Sequence, residues 1–150
     1  MKVLVLMQGS SASGKSFVAE ALKTHYETVL KTNCQICSTD NFWYINSGGE
    51  KYEFDQKRLG EAHRWNQDWV TDLMKQRQPA IIVDNTNTTH KEASFYINLA
   101  KQYGYEVRVV SVSCSDSVAK MYNSQRAIDR RVPEHVIDAQ NKRMERIFLD

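Results

Sequence analysis

An α/β fold on a mainly parallel four-stranded sheet is the architecture this sequence predicts, and three observations carry it. Short apolar runs alternate with segments whose apolar residues recur every three or four positions. The first apolar run feeds directly into a glycine-rich turn, GSSASGKS (Gly9–Ser16), which opens the first helical segment. A later run, AIIV, is continuously apolar and stops on Asp84, the pattern of a parallel strand covered on both faces.

In chain order, KVLVLM reads as a short buried strand, far too brief to span a bilayer. It runs into glycine and serine, not into a cleavage-like signal. KSFVAEALKTHY places Phe17, Val18, Ala21 and Leu22 at helical spacing, so the glycine turn lies between a strand and a helix. CQICST is the second strand, and NSGGE (Asn46–Glu50) is a plausible mobile loop after it. From Asp55 to Gln78, Leu59, Ala62, Trp69, Leu73 and Met74 mark a long amphipathic helix, with Asp55 available as cap and Pro79 as stop. AIIVDNTN supplies the third strand and a polar cluster past its end. Lys91–Tyr103 is a helix stopped by Gly104, and YEVRVVSVSC is the fourth strand. Asp116 to about Arg126 and Pro133 to about Phe148 read as closing helices. Such a sheet places ligands at the carboxyl ends of its strands, where the glycine turn, Asp40 and Asp84 all fall.

The chain of 150 residues is about one domain, expected to span 1–150. Apolar residues at 41% and charged residues at 25% fit a soluble globular protein and exclude long disorder. A net charge of +2 does not by itself demand a polyanion partner. An odd number of cysteines, Cys34, Cys37 and Cys114, together with no secretory signal, fits a reducing cytoplasm, and the short apolar opening leads us to expect no membrane partner. Cys34 and Cys37 form a CxxC that is either half a metal or redox site or two small residues in a buried strand. No second CxxC or histidine pair at ligand spacing accompanies it.

GSSASGKS matches G-x-x-x-x-G-K-[ST] in full, in the required strand-to-helix context. The expected fold is therefore the three-layer P-loop NTPase fold. Gly9, Ser10, Ser11, Ala12, Ser13 and Gly14 curl the backbone so that N–H groups face the phosphates of ATP or GTP, and Lys15, Ser16 and Phe17 begin a helix whose positive dipole end adds to the grip. Lys15 is expected to reach the β- and γ-phosphates, and Ser16 offers a hard oxygen to Mg²⁺. Asp84 is placed to bind the metal as well, or else it only leads into the next helix with Asn85, Thr86 and Asn87. Asp40, beyond the second strand, is either a base or positioning group for an acceptor or part of an STD helix cap. Arg126, Arg130 and Arg131 lie between two helices, as a phosphate-clamping lid or as a solvated basic turn. Phe42, Trp43, Tyr44 and Tyr52 can stack on a base or pack on the long helix, and His63 and Trp65 share that helix on the acceptor side.

The chain resembles the P-loop kinases related to the 5′-hydroxyl polynucleotide kinase of bacteriophages. GSSASGKS, STDNFW, YEFDQKRLGEAHRWNQ and VDNTNTT are similar to successive blocks of a eukaryotic and viral branch, and NSQRAIDRRVPEHVID resembles the phage enzyme's lid and closing helix. The resemblance spans nearly the whole chain. It implies that Asp40 is the general base and that Arg126 clamps the donor phosphates with Arg130 as helper. The phage enzyme carries a substrate-phosphate arginine three positions beyond its base; here that position is Trp43, which replaces phosphate capture by stacking. The acceptor-side candidates are Trp43, Asp84 and Asn87.

The expected activity is Mg²⁺-dependent transfer of the γ-phosphoryl group from ATP or GTP to a hydroxyl, the 5′-OH of a polynucleotide first among acceptors. A small-molecule or nucleoside kinase, and a nucleotide-binding interaction module without transfer, are the alternatives.

Overall fold

The structure, a computed structural model, describes residues 1–147 and 149. Its elements run β1 (Val3–Gln8), α1 (Lys15–Thr28), β2 (Cys34–Cys37), a 3₁₀ helix (Thr39–Ser47), α2 (Leu59–Lys75), β3 (Ala80–Val83), α3 (His90–Tyr103), β4 (Glu106–Ser111), α4 (Asp116–Ser124) and α5 (Glu134–Lys142). Among the described residues the strands form one sheet in the order β2-β3-β1-β4. All of its pairings are parallel, with Val3 opposite Ala80 and Glu106, and Cys34 opposite Ala80. The expected α/β architecture is what the chain adopts.

Alternation along the strands builds two cores, because successive side chains leave opposite faces of a sheet. Leu4, Leu6, Cys37, Ile81 and Val83 pack with α2 and α3. Val3, Val5, Met7, Cys34, Ala80 and Ile82 pack with α1 through Ala19 and Tyr26. Each fully buried Leu, Ile or Val contributes about 1.5–3 kcal/mol over an exposed one. The central strands β1 and β3 are therefore where most of the sheet's stabilisation accumulates. β4 lies at an edge, and Glu106 and Arg108 stand exposed on it as an ion pair at 3.4 Å, which blunts edge-to-edge association.

The second helix departs from expectation at both ends. Asp55 caps only a single 3₁₀ turn, Gln56–Arg58, through Lys57 N, and α2 proper begins at Leu59. It ends at Lys75, not Gln78, because Arg77 turns into the left-handed region at φ 60° before Pro79 is reached. Its buried stripe is Ala62, Asn66, Val70 and Met74, a strict four-residue spacing, whereas Leu59 is exposed. The polar Asn66 within that stripe donates to the Tyr96 hydroxyl at 2.9 Å. NSGGE ends the 3₁₀ helix in left-handed glycines, Gly48 and Gly49, and Ser47 bonds both the N–H and the C=O of Lys51. The last helix stops at Lys142, six residues before the expected end at Phe148, which lies outside the described residues.

The CxxC is divided by the sheet. Cys34 joins the α1-side core and Cys37 the α2/α3-side core, so their sulfurs face apart and cannot share a metal. Among the described residues no group of three His, Cys, Asp or Glu is placed to hold a metal ion. Burial pushes the Cys34 thiol up to about 11 and the Cys37 thiol up to about 12, from 9.0. Above about pH 9 an unfolded chain releases thiol protons that the folded chain keeps, so stability is fully present below that pH and falls as pH rises further. Thermal melts are expected to hold level from neutrality to about pH 9 and then decline, and a maleimide at pH 7 is expected to spare Cys34 and Cys37 until the chain is denatured. Rapid native labelling of either thiol would contradict the burial.

Candidate functional site

The carboxyl ends of β1, β2 and β3 converge on one cleft. β1 stops at Gln8, and the chain turns at Gly9, whose N–H donates to Thr86 O at 3.1 Å. A Cβ at Gly9 would meet Val112 O at 2.6 Å and Ser13 Oγ at 2.7 Å, so the close approach of the turn to the strand beside it requires glycine. Ala12 and Gly14 adopt left-handed conformations at φ 64° and 93°, which curl the turn into α1. Ser10 and Ser13 are buried, and Ser13 Oγ has no hydrogen-bond partner. Phe17 is 79% exposed, so its side chain adds nothing to the cradle and only its helix-terminal backbone is available there.

Asp84, just past β3, ties the turn to the sheet. Its backbone N–H donates to Cys37 O at 2.9 Å. Its Oδ2 accepts from Ser16 Oγ at 2.8 Å, and Lys15 Nζ stands 3.2 Å from its Oδ1. That Oδ1 is buried and, beyond the ion pair, accepts no hydrogen bond. Two hard oxygen donors, a carboxylate and a hydroxyl, thus meet at the start of α1, a donor set that fits Mg²⁺.

Asp40 enters the cleft from the 3₁₀ helix after β2. Ser38, not Asp40, does the capping: its Oγ accepts from Asp40 N at 3.3 Å, which leaves the Asp40 carboxylate exposed. The turn is anchored from below, since Thr39 N donates to Asn85 Oδ1 at 3.0 Å. Burial pushes the nearby Tyr96 phenol up to about 12, and the Asn66 and Asn85 side chains oppose that rise. Two polar pairs, Asn66–Tyr96 and Asn85–Thr39, therefore lie between the core and the residue before Asp40. His63, exposed on α2, sits 3.4 Å from Thr39 Oγ1, and Trp65 packs against the aromatic cluster. Ser16, Asp84, Asp40, Asn41, Tyr44 and Arg130 together line a cavity of about 320 Å³.

The segment between α4 and α5 folds over this cavity. Asn123 clasps its base, accepting from Val132 N at 2.8 Å and donating to Val132 O at 2.6 Å. Arg131 Nε donates to Arg126 O at 3.0 Å, so Arg131 holds the segment's own backbone. Arg126 is partly buried; desolvation lowers its pKa, the neighbouring charge of Arg130 lowers it further, and Asp40 opposes both. Arg130 Nη1 donates to the Tyr44 hydroxyl at 2.7 Å, and its guanidinium lies 4.9 Å from the Tyr52 ring centroid. Burial, with Asp40 adding to it, pushes the Tyr52 phenol up to about 12.

Two acceptor-side candidates sit elsewhere. Trp43 is only 3% exposed, edge-on to Phe42 and Phe54, so it packs beneath the 3₁₀ helix and presents no face for stacking in the cleft. Asn87 is buried with φ 45°; its Nδ2 donates to Met7 O at 2.8 Å and its carbonyl accepts from Gln8 Nε2. Asn87 thereby closes the end of β1, one of its amide hydrogens being committed to the main chain there. Gln140 on α5, absent from the expected set, accepts from Ser11 N at 2.8 Å within the glycine turn. A separation of 129 residues leaves no sequence signal for that bond.

Residues 4–147 match the family described as AAA domain. Over 105 residues, 70% of the chain, the sequence is 40% identical to human NEDD4-binding protein 2, of whose length the chain spans 6%. Among solved structures, Pnkp1/Rnl/Hen1, described as an RNA repair complex, superposes with a TM-score of 0.73 at 15% identity, covering 95% of this chain and 44% of the other. Kti12 of Chaetomium thermophilum with ADP-AlF3 superposes at 0.72 and 16% identity, covering 95% and 80%. At these identities the two structures share the fold.

Tyr96→Phe tests the Asn66–Tyr96 pair. It strands Asn66, which is fully buried and whose Oδ1 is already unpaired, and is expected to cost about 1–3 kcal/mol in chemical denaturation. An unchanged midpoint would count against the pair.

Proposed function

The chain belongs to the AAA domain family, a P-loop kinase-like domain, and from that premise we propose that it transfers the γ-phosphoryl group of ATP or GTP to a hydroxyl, the 5′-OH end of a polynucleotide being the acceptor. The observation that carries the reading is the single cavity joining Ser16 and Asp84 to the exposed carboxylate of Asp40. A hydrolase needs room only for a water. A cavity of about 320 Å³ has room for the end of an acceptor molecule.

In this mechanism the glycine turn holds the donor phosphates through backbone N–H groups at the start of α1. Lys15 leaves Asp84 for the β- and γ-phosphates, the exchange of one anionic partner for another. Ser16 and Asp84 would hold Mg²⁺, which would supply neutralisation of the phosphate charge. Asp40 accepts the proton of the acceptor hydroxyl as the new O–P bond forms and the bond to the β-phosphate breaks, releasing the nucleoside diphosphate. Arg126 meets the charge that spreads over the transferring group. Its partial burial makes that contact stronger than an exposed arginine's.

The reading follows from the cleft's shape and residue types, and the resemblance to 5′-hydroxyl kinases supplies the acceptor. The descriptions of Pnkp1 as part of an RNA repair complex and of Kti12 with a nucleotide analogue are consistent with it.

Transfer of labelled γ-phosphate to a 5′-hydroxyl oligonucleotide is the direct test. Lys15→Ala is expected to abolish transfer, Asp40→Asn to lower turnover about 10²–10⁴-fold with ATP binding kept, and Arg126→Ala to lower it about 10²–10³-fold. Transfer at the wild-type rate by Asp40→Asn would remove that carboxylate from the chemistry. Inert oligonucleotides beside a phosphorylated nucleoside would move the acceptor to the small-molecule class, and nucleotide binding without any transfer would make the chain an interaction module.

A further inference from the structure

Four residues of α2, Trp65, Asp68, Trp69 and Asp72, line a second cavity, of about 310 Å³, which shares no lining residue with the cleft. Their spacing of three and four residues puts them on one face of the helix. The two indoles have ring centroids 5.4 Å apart and planes inclined at 49°. Each is half-buried and held by the fold. Trp65 packs with Phe42, its ring 5.9 Å away, and Trp69 packs against the core on the α2/α3 side of the sheet.

Asp68 and Asp72 are exposed and one helical turn apart, a spacing at which like charges oppose each other. Among the described residues neither enters an ion pair, although Arg64 and Lys75 lie within a turn of them on the same helix. The cavity is thus lined by carboxylates alone among charged groups, on a chain whose net charge is +2. Aromatic faces attract a cation through the ring quadrupole, and a carboxylate beside them supplies the opposite charge. The same carboxylates repel a phosphodiester, so the indoles are not a platform for stacked bases. Among cations a guanidinium suits these walls better than an ammonium. It is planar, stacks on indole, is less strongly hydrated, and offers paired N–H groups to a carboxylate.

We propose that this face of α2 is a docking site for an arginine side chain on a basic segment of a partner protein. The guanidinium lies against Trp65 and Trp69 and pairs with Asp68 or Asp72. Because the indoles are already fixed by the core, little ordering of this chain is needed on binding. The site does not depend on the kinase reading.

The probe is a short end-capped glycine-serine peptide carrying two arginines, titrated into the whole chain beside the same peptide with citrulline, neutral and of the same shape, and with lysine. The arginine form is expected to bind about tenfold more tightly than the citrulline form, with lysine weaker than arginine. In NMR spectra the indole N–H signals of Trp65 and Trp69 are expected to shift more than that of Trp43, which is 3% exposed. Asp68→Asn combined with Asp72→Asn is expected to remove the preference for arginine over citrulline. Both positions are exposed, so the core is left intact, and Glu50→Gln, which removes a charge from another exposed position, is expected to leave the preference in place. Equal binding of the arginine and citrulline peptides, a preference that survives the double substitution, or unmoved Trp65 and Trp69 signals would overturn the site. Lysine bound as well as arginine would overturn the choice of guanidinium, and a single-stranded oligonucleotide that shifts the same two indoles would overturn the cationic occupant.

Discussion

The carboxylate of Asp84 is the constraint on which the site depends. It ends the β3 run Ala80–Val83, is 7% exposed, and engages Lys15 and Ser16 together. A charge so buried is tolerable only with partners. The partners here are the last two residues of GSSASGKS, so the glycine turn is pinned to the centre of the sheet before any phosphate arrives. The same three groups are the ones that a metal and a triphosphate would draw apart. The resting site thus keeps these three polar groups satisfied by one another, so that a ligand bound there would exchange contacts instead of creating all of them.

Around that pin the chain's ends are tied by buried polar bonds. Gln8 reaches the carbonyls of Asn87 and Glu145 and accepts from Ser111 Oγ. Thr88, fully buried, donates through both N–H and Oγ1 to Glu92, and Thr88 Oγ1 accepts from Arg143 Nε at 3.0 Å. Glu145 N completes the set on Thr88 O. These contacts bring the segment after α5 against the ends of β1 and β3, and Gln140 carries the link into the glycine turn. The stretch bearing Arg126 and Arg130 is consequently anchored on both sides, at Asn123 and through α5. Low-cost burial of such polar atoms requires nearly every one to be paired, and most are.

Particular residues show where sequence reasoning reached and where it stopped. GSSASGKS between strand and helix was legible because the backbone curl needs those glycines and the chemistry needs Lys15 and Ser16 adjacent. Asp84 was legible because a continuous apolar run can end in a carboxylate only at a strand's exit. Trp43 was misplaced: an aromatic beside a polar turn stacks equally well on a ligand or a core, and Phe42, Phe54 and Ala62 took it inward. Asn87 was misplaced for a related reason, since an amide past a strand can serve a ligand or a neighbouring main chain, and Met7 O claimed it. The CxxC spacing suggested a pair, but in an extended strand three residues place side chains on opposite faces.

By itself the sequence determined the order of strands and helices, the parallel sheet and the phosphate-facing turn, because these follow from local periodicity and from a contiguous motif. Tertiary structure alone decided that Ser38 caps and Asp40 stays free, that Asn66 pairs with Tyr96 and Asn85 with Thr39, that Gln140 meets Ser11, and that Arg130 meets Tyr44 and Tyr52. Apart from the Ser38 cap, which is local, each of those is a contact between residues far apart in the chain. Which of several chemically equivalent partners a side chain takes depends on the packing of elements, and no local pattern encodes that choice.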